Sequence, residues 1–133
     1  MPTLPWKTVA ASDAPEVVVM ASRLEVRSLA QAPGFLLASL ALWRQALRAP
    51  GAVGVALKAD PLRRTFWTVS AWTDEQAIRA YAGTEPHRST MRRKRSVMKE
   101  STFVFWNSSP ADLPVSWDTV RARIAEQRAA RPS

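Results

Sequence analysis

At 133 residues the chain is long enough for one domain with a real core and too short for two. Its 47% hydrophobic and 23% charged residues exclude a disordered tail, and the absence of cysteine excludes disulfides, thiolate metal sites and cysteine nucleophiles. The net charge of +8 comes from 15 arginines and 4 lysines in an alanine-rich chain; high-GC coding alone produces that bias, so it is not read as a nucleic-acid signature.

The opening "MPTLPWKTVAASDAPE" has neither a basic start nor an apolar run, so no signal peptide is expected. "EVVVMASRLEV", residues 16–26, is rich in β-branched residues and reads as the first strand. "APGFLLASLALWRQALRAPG" follows as an amphipathic helix, with Leu36, Leu40, Trp43 and Leu47 on the inner side, Arg44, Gln45 and Arg48 opposite, and Pro50 and Gly51 ending it. Its longest apolar run, Phe35 to Trp43, contains Ser39 and stops at Arg44, far short of the roughly 20 residues that cross a bilayer. A cytoplasmic protein without a membrane segment is the expectation.

Residues 52–61 and 63–72 read as two strands of a hairpin around Asp60 and Pro61. Thr73 or Asp74 can cap a helix carrying Ala77, Ile78 and Tyr81 on one side, and Gly83 interrupts it. Thr84 can cap a second segment with Pro86 in its first turn. "STFVFWNSS", residues 101–109, is the fourth strand, and a last helix is expected from about Ser116 because Trp117, Val120 and Ile124 share a side.

The order strand, helix, strand, strand, helix, strand is the split βαβ arrangement of an α+β, ferredoxin-like βαββαβ antiparallel sheet with helices on one face. The core spans about 16–107 of a single domain, 1–133, with a C-terminal helical extension at about 116–130. Phe66, Trp67 and Val69, and again Phe103 to Trp106, fill both faces of their strands. Two helices cover only one face, so a second copy on the other, in a symmetric homodimer, is expected.

His87, the only histidine, shares a helical stripe with Met91 and Met98, with Thr90 and Val97 alongside, and so should point inward. Near a helix N-terminus the neutral ring is favoured, and it can serve as base, donor or ligand; the plainer reading is a packed histidine bonded to a backbone carbonyl. Among six tryptophans, Trp43, Trp67, Trp72 and Trp106 fall on core elements and suit either a dry core or the walls of a site for a flat apolar or aromatic ligand. Met91 and Tyr81 belong with them. Arg88, Arg92, Arg95 and Lys99 share one helix face without interleaved aromatics, which is a solvated face rather than a nucleic-acid stripe, although Arg88 could hold a carboxylate. One histidine with scattered carboxylates makes no zinc site, and neither a nucleophile elbow nor a phosphate-binding glycine loop is present.

The stretch "FWTVSAWTDEQAIRAYAGTEPHRSTM", with its strand ending in Trp72, acidic helix start, Tyr81 and "PHR" turn, resembles the dimeric α+β barrel superfamily, in particular antibiotic biosynthesis monooxygenase-like domains. The resemblance implies a small-molecule site between sheet and helices, with cofactor-independent oxygenation of an aromatic or quinol-like substrate as the activity. In that reading His87 is the base, and Tyr81 and Arg88 orient or stabilise the developing oxyanion. The haem-degrading branch of the same superfamily resembles this chain less: its tryptophan falls on Tyr81, its histidine on Met91, and the first strand offers no asparagine. The alternative is a non-catalytic dimer module that binds a ligand such as haem or acts as a structural or regulatory partner.

Overall fold

The computed structural model describes residues 3–10, 15–85 and 87–130. Five strands, β1 (Thr3–Thr8), β2 (Val17–Val26), β3 (Ala52–Asp60), β4 (Thr65–Trp72) and β5 (Met98–Ser108), form one antiparallel sheet in the order β1-β3-β4-β2-β5. Four helices accompany it: α1 (Ala32–Arg48), α2 (Glu75–Gly83), α3 (His87–Lys94) and α4 (Trp117–Ala129). Strands β2 to β5 with α1 to α3 make the expected split βαβ unit. The first strand is an addition to it. "TLPWKT" carries Pro5 and lacks a strand pattern, but β1 lies at the sheet edge against β3, and its register shifts between Leu4 and Lys7, where a proline is tolerated. Gly54 of β3 makes room for it, since a Cβ there would lie 2.2 Å from the Trp6 ring.

Strand alternation gives the sheet two different faces. Met20, Ser22 and Leu24 of β2, Val55 and Leu57 of β3, and Thr68 and Ser70 of β4 look towards α1 and α3. On the other side Val19, Ala21, Val69 and Ala71 are buried against Val120 and Ile124 of α4. Alanines at 21 and 71 let the helix approach closely, and Leu113, Val115 and Trp117 pack around its entry. Trp106 joins this layer under the Arg123 guanidinium, 4.7 Å above its ring.

Part of that second face, expected to meet a twin copy, is covered within the chain by α4. An ion network holds another part of the same face. Glu25 and Glu100 stand opposite each other in the β2–β5 register, and their repulsion is neutralised by Arg23 (3.1 Å to Glu25), Lys99 (3.5 Å to Glu25) and Arg128 (2.8 Å to Glu100). Burial pulls the Glu25 carboxyl upwards, but Arg23 and Lys99 outweigh it and hold the group below its ordinary value.

On the helix side, the residues of α1 that are buried are Ala32, Phe35 and Ala46, not the expected stripe of Leu36, Leu40, Trp43 and Leu47, which flanks them half-buried. Small residues at the contact bring the helix down onto the sheet. Gly51, at φ +85, turns the chain from α1 into β3 directly beneath α2, where a Cβ would sit 2.5 Å from that of Ala77.

The hairpin and α2 follow expectation, with Asp74 capping α2 by accepting from the Ala77 N–H at 2.8 Å. The α3 cap does not. Thr84 turns its hydroxyl back to the Ala80 carbonyl (2.6 Å), and Glu85 instead accepts from Ser89 N–H at 3.1 Å. Pro86 lies outside the described residues. Helix α3 stops at Lys94, so Met98 and Lys99, expected on its faces, belong to β5.

Candidate active site between sheet and helices

Between the sheet and helices α1 and α3 lies a recess with a mainly apolar lining. Its empty space is about 760 Å³ counted out to an open mouth, so it is a cleft rather than a sealed chamber. Met20, Leu42, Trp43 and Trp72 are among its walls, and the hydroxyls of Ser22 and Thr68, hydrogen-bonded to one another, form a polar spot on the floor.

Helix α3 supplies the chemistry. His87, Thr90, Met91 and Lys94 all line the recess, at the i, i+3, i+4, i+7 spacing of a single helix face. Burial lowers the His87 pKa below its ordinary 6.5, only partly opposed by contact with the Ala82 backbone, so the ring is held neutral. Its Nδ1 is buried without a hydrogen-bond partner, and so is Nε1 of Trp43. Buried polar atoms are normally satisfied, so two unpartnered ones on residues that line one recess set it apart.

The ring's position is fixed from two sides. Tyr81 meets it edge-on at 4.7 Å between centroids and packs in turn on Trp72 at 5.0 Å. Gln45 of α1 does the rest. Its Oε1 accepts from the His87 N–H at 2.8 Å, while Nε2 donates to the carbonyls of Tyr81 (3.1 Å) and Thr84 (3.2 Å). One amide thus joins the end of α2 and the start of α3 to α1. Helical phase had placed Gln45 on the outer side with Arg44 and Arg48, and nothing local in the sequence distinguishes it from them.

The other expected residues divide. Trp43, Trp72, Tyr81, His87 and Met91 come together around the recess. Trp67 and Trp106 do not: both belong to the layer under α4, Trp67 with the Arg23 guanidinium 5.6 Å from its ring. Arg88 is exposed and points away from the lining, because one residue further along a helix is a rotation of about 100°. Lys94, not Arg88, is the basic residue of α3 that lines the recess. The Tyr81 hydroxyl is committed to the Leu42 carbonyl at 2.8 Å, and burial pushes its pKa upwards, so it stays a protonated donor to that backbone atom. Among the described residues there is no group of three or more metal-ligating side chains.

No protein-family model matches the sequence, and no curated protein matches it. Solved structures do. A Nitrosomonas europaea protein provisionally assigned as an antibiotic biosynthesis monooxygenase superposes with a TM-score of 0.64 at 16% identity, covering 75% of this chain and 94% of its own. SnoaB from Streptomyces nogalater, a cofactor-independent oxygenase, gives 0.59 at 19% identity over 77% of this chain and 100% of its own. This chain has the antibiotic biosynthesis monooxygenase-like fold. A Shewanella oneidensis protein gives 0.63 at 10% identity over 78% and 97%, which shows how far sequences diverge on this fold. Among the described residues no helix is long and apolar enough to cross a membrane.

Proposed function

We propose that the recess binds a small aromatic or quinol-like molecule and that the protein is a cofactor-independent monooxygenase. The observation that carries this reading is the neutral His87 ring, which lines a mainly apolar recess and whose Nδ1 has no hydrogen-bond partner among the described residues. The neutral imidazole carries a lone pair on one ring nitrogen and takes the proton of a substrate hydroxyl. The electron-rich carbon so formed adds molecular oxygen to give a C–OOH group. Loss of the remaining C–H proton with cleavage of the O–O bond leaves a carbonyl and water, so one oxygen atom enters the product and the other leaves as water. Apolar walls keep bulk water from the intermediate. The fold shared with SnoaB, itself a cofactor-independent oxygenase, supports the same chemistry.

The expected result is oxygen uptake with a panel of quinols that falls at least a hundredfold in His87→Ala, in line with the usual size of general-base catalysis. Equal rates in both proteins would remove the base assignment. A haem-binding module is the second reading, since a neutral imidazole can serve as an axial ligand; Tyr81, packed edge-on against the ring at 4.7 Å between centroids, leaves little room for a porphyrin there. A haemin titration without a His87-dependent Soret shift is the expected outcome.

A further inference from the structure

Six basic side chains occupy the stretch from Arg88 to Lys99, and five of them are spent elsewhere. Arg88, Arg92, Arg93 and Arg95 are exposed, and Lys99 pairs with Glu25 across the sheet. Only Lys94 lines the recess. Its ammonium lies against α1, close enough that a Cβ on Gly34 would be 3.5 Å from Nζ. It makes no ion pair or hydrogen bond among the described residues; Glu25 and Glu100 are both engaged by cations in the network with Arg23 and Arg128. A half-buried lysine on a mainly apolar wall, with no counter-charge among the described residues, is a site of charge complementarity for a ligand.

Its place on α3 fixes the ligand's shape. Lys94 follows His87 by seven residues on the same helix face, roughly 10 Å along the axis at 1.5 Å per residue. Met91 and Thr90 lie between them and leave no other charge along that wall. We propose that the recess is built for an aromatic anion, whose ring fills the cleft with its hydroxyl at His87 and whose carboxylate or equivalent anionic group pairs with Lys94 at the far end. This rests on the small-molecule reading given above and narrows it from aromatic molecules in general to those carrying a negative group opposite the reacting hydroxyl.

A matched pair of probes tests it: 4-hydroxybenzoate and its methyl ester, which differ only in the charge. Binding is followed at low salt by calorimetry and by fluorescence of Trp43 and Trp72. The wild-type protein should bind the acid at least tenfold more tightly than the ester, the scale of one charge-assisted hydrogen bond, and the preference should shrink as salt is raised. Lys94→Met should erase the preference while leaving ester binding intact, and Lys94→Glu should reverse it. Arg92→Met, a loss of one exposed charge from the same helix, should leave it unchanged. Equal binding of acid and ester by the wild type overturns the anion assignment and leaves the oxygenase reading standing. A clear Lys94-dependent preference without oxygen uptake on any quinol does the opposite. Failure of both probes to bind at millimolar concentration overturns the anion assignment as well.

Discussion

Gln45→Met replaces the amide with an apolar side chain of similar length, and the loss it produces can be worked out bond by bond. Three hydrogen bonds disappear, yet two of their acceptors keep a second donor: the Tyr81 carbonyl still receives the Thr84 N–H at 3.2 Å, and the Thr84 carbonyl the Arg88 N–H at 3.2 Å. Only the His87 N–H is orphaned, as the first residue of α3 has no intrahelical acceptor. The expected cost is therefore that of one half-buried unsatisfied donor, about 1–2 kcal/mol, rather than three times a hydrogen bond. For a chain of this size it lowers Tm by about 3–8 °C. Amide exchange gives the sharper readout: the His87 N–H should exchange at least tenfold faster in Gln45→Met, while the Ile78 amide inside α2 does not change. The same variant should lose most His87-dependent oxygen uptake while remaining folded, because the ring is no longer held against Tyr81. An unchanged Tm with unchanged His87 exchange would refute the idea that Gln45 sets the position of this histidine.

Three further outcomes follow from the same geometry. Because burial holds His87 below its ordinary 6.5, the unfolded chain binds a proton that the folded one refuses; stability is full above pH 6.5 and falls as pH drops below it, with a limiting slope of about 1.4 kcal/mol per pH unit. Denaturant titrations of His87→Gln should lack that slope between pH 7 and 5.5, and an identical slope in both proteins would show that the ring titrates normally. Ile124→Ala, at a side chain only 1% exposed under α4, should cost about 3 kcal/mol by chemical denaturation; a loss below 1 kcal/mol would mean that α4 does not seal the second sheet face. Gly51→Ala combines a positive φ with a 2.5 Å approach to the Ala77 Cβ, so a loss of about 2 kcal/mol is expected, and a neutral result would place the α1–β3 turn differently.

What the sequence disclosed and what it hid divide along the range of the interactions responsible. Strands β2 to β5 and helix α4 were legible because β-branched runs and the Trp117, Val120, Ile124 side are local patterns. Strand β1 was not, since "TLPWKT" becomes a strand only by pairing with β3 some 50 residues away, and neither was the seat of α4 on the sheet, which depends on alanines at 21 and 71. Helix α1 is recognised, and its large residues at 36, 40, 43 and 47 flank the contact half-buried; Ala32, Phe35 and Ala46, buried at the contact itself, lie beside that stripe, and the two alanines are too small to stand out in the pattern.

The same contrast runs through the recess. His87 was found by spacing alone, yet Gln45, which holds it, accepts a hydrogen bond from a residue 42 positions away and leaves no local trace. Arg88 was asked to serve both on the exposed face with Arg92 and Arg95 and as a partner for bound oxyanions, and a helix allows only one of these. With His87, Thr90 and Met91 turned inward, the phase that puts Arg88 in water is the phase that brings Lys94 to the lining. On the reading proposed above, ligand selection becomes a matter of helical register, so that exchanging Lys94 with the exposed Ser96, which takes the cation off the recess wall, should abolish any preference for an anionic ligand without altering the protein's charge.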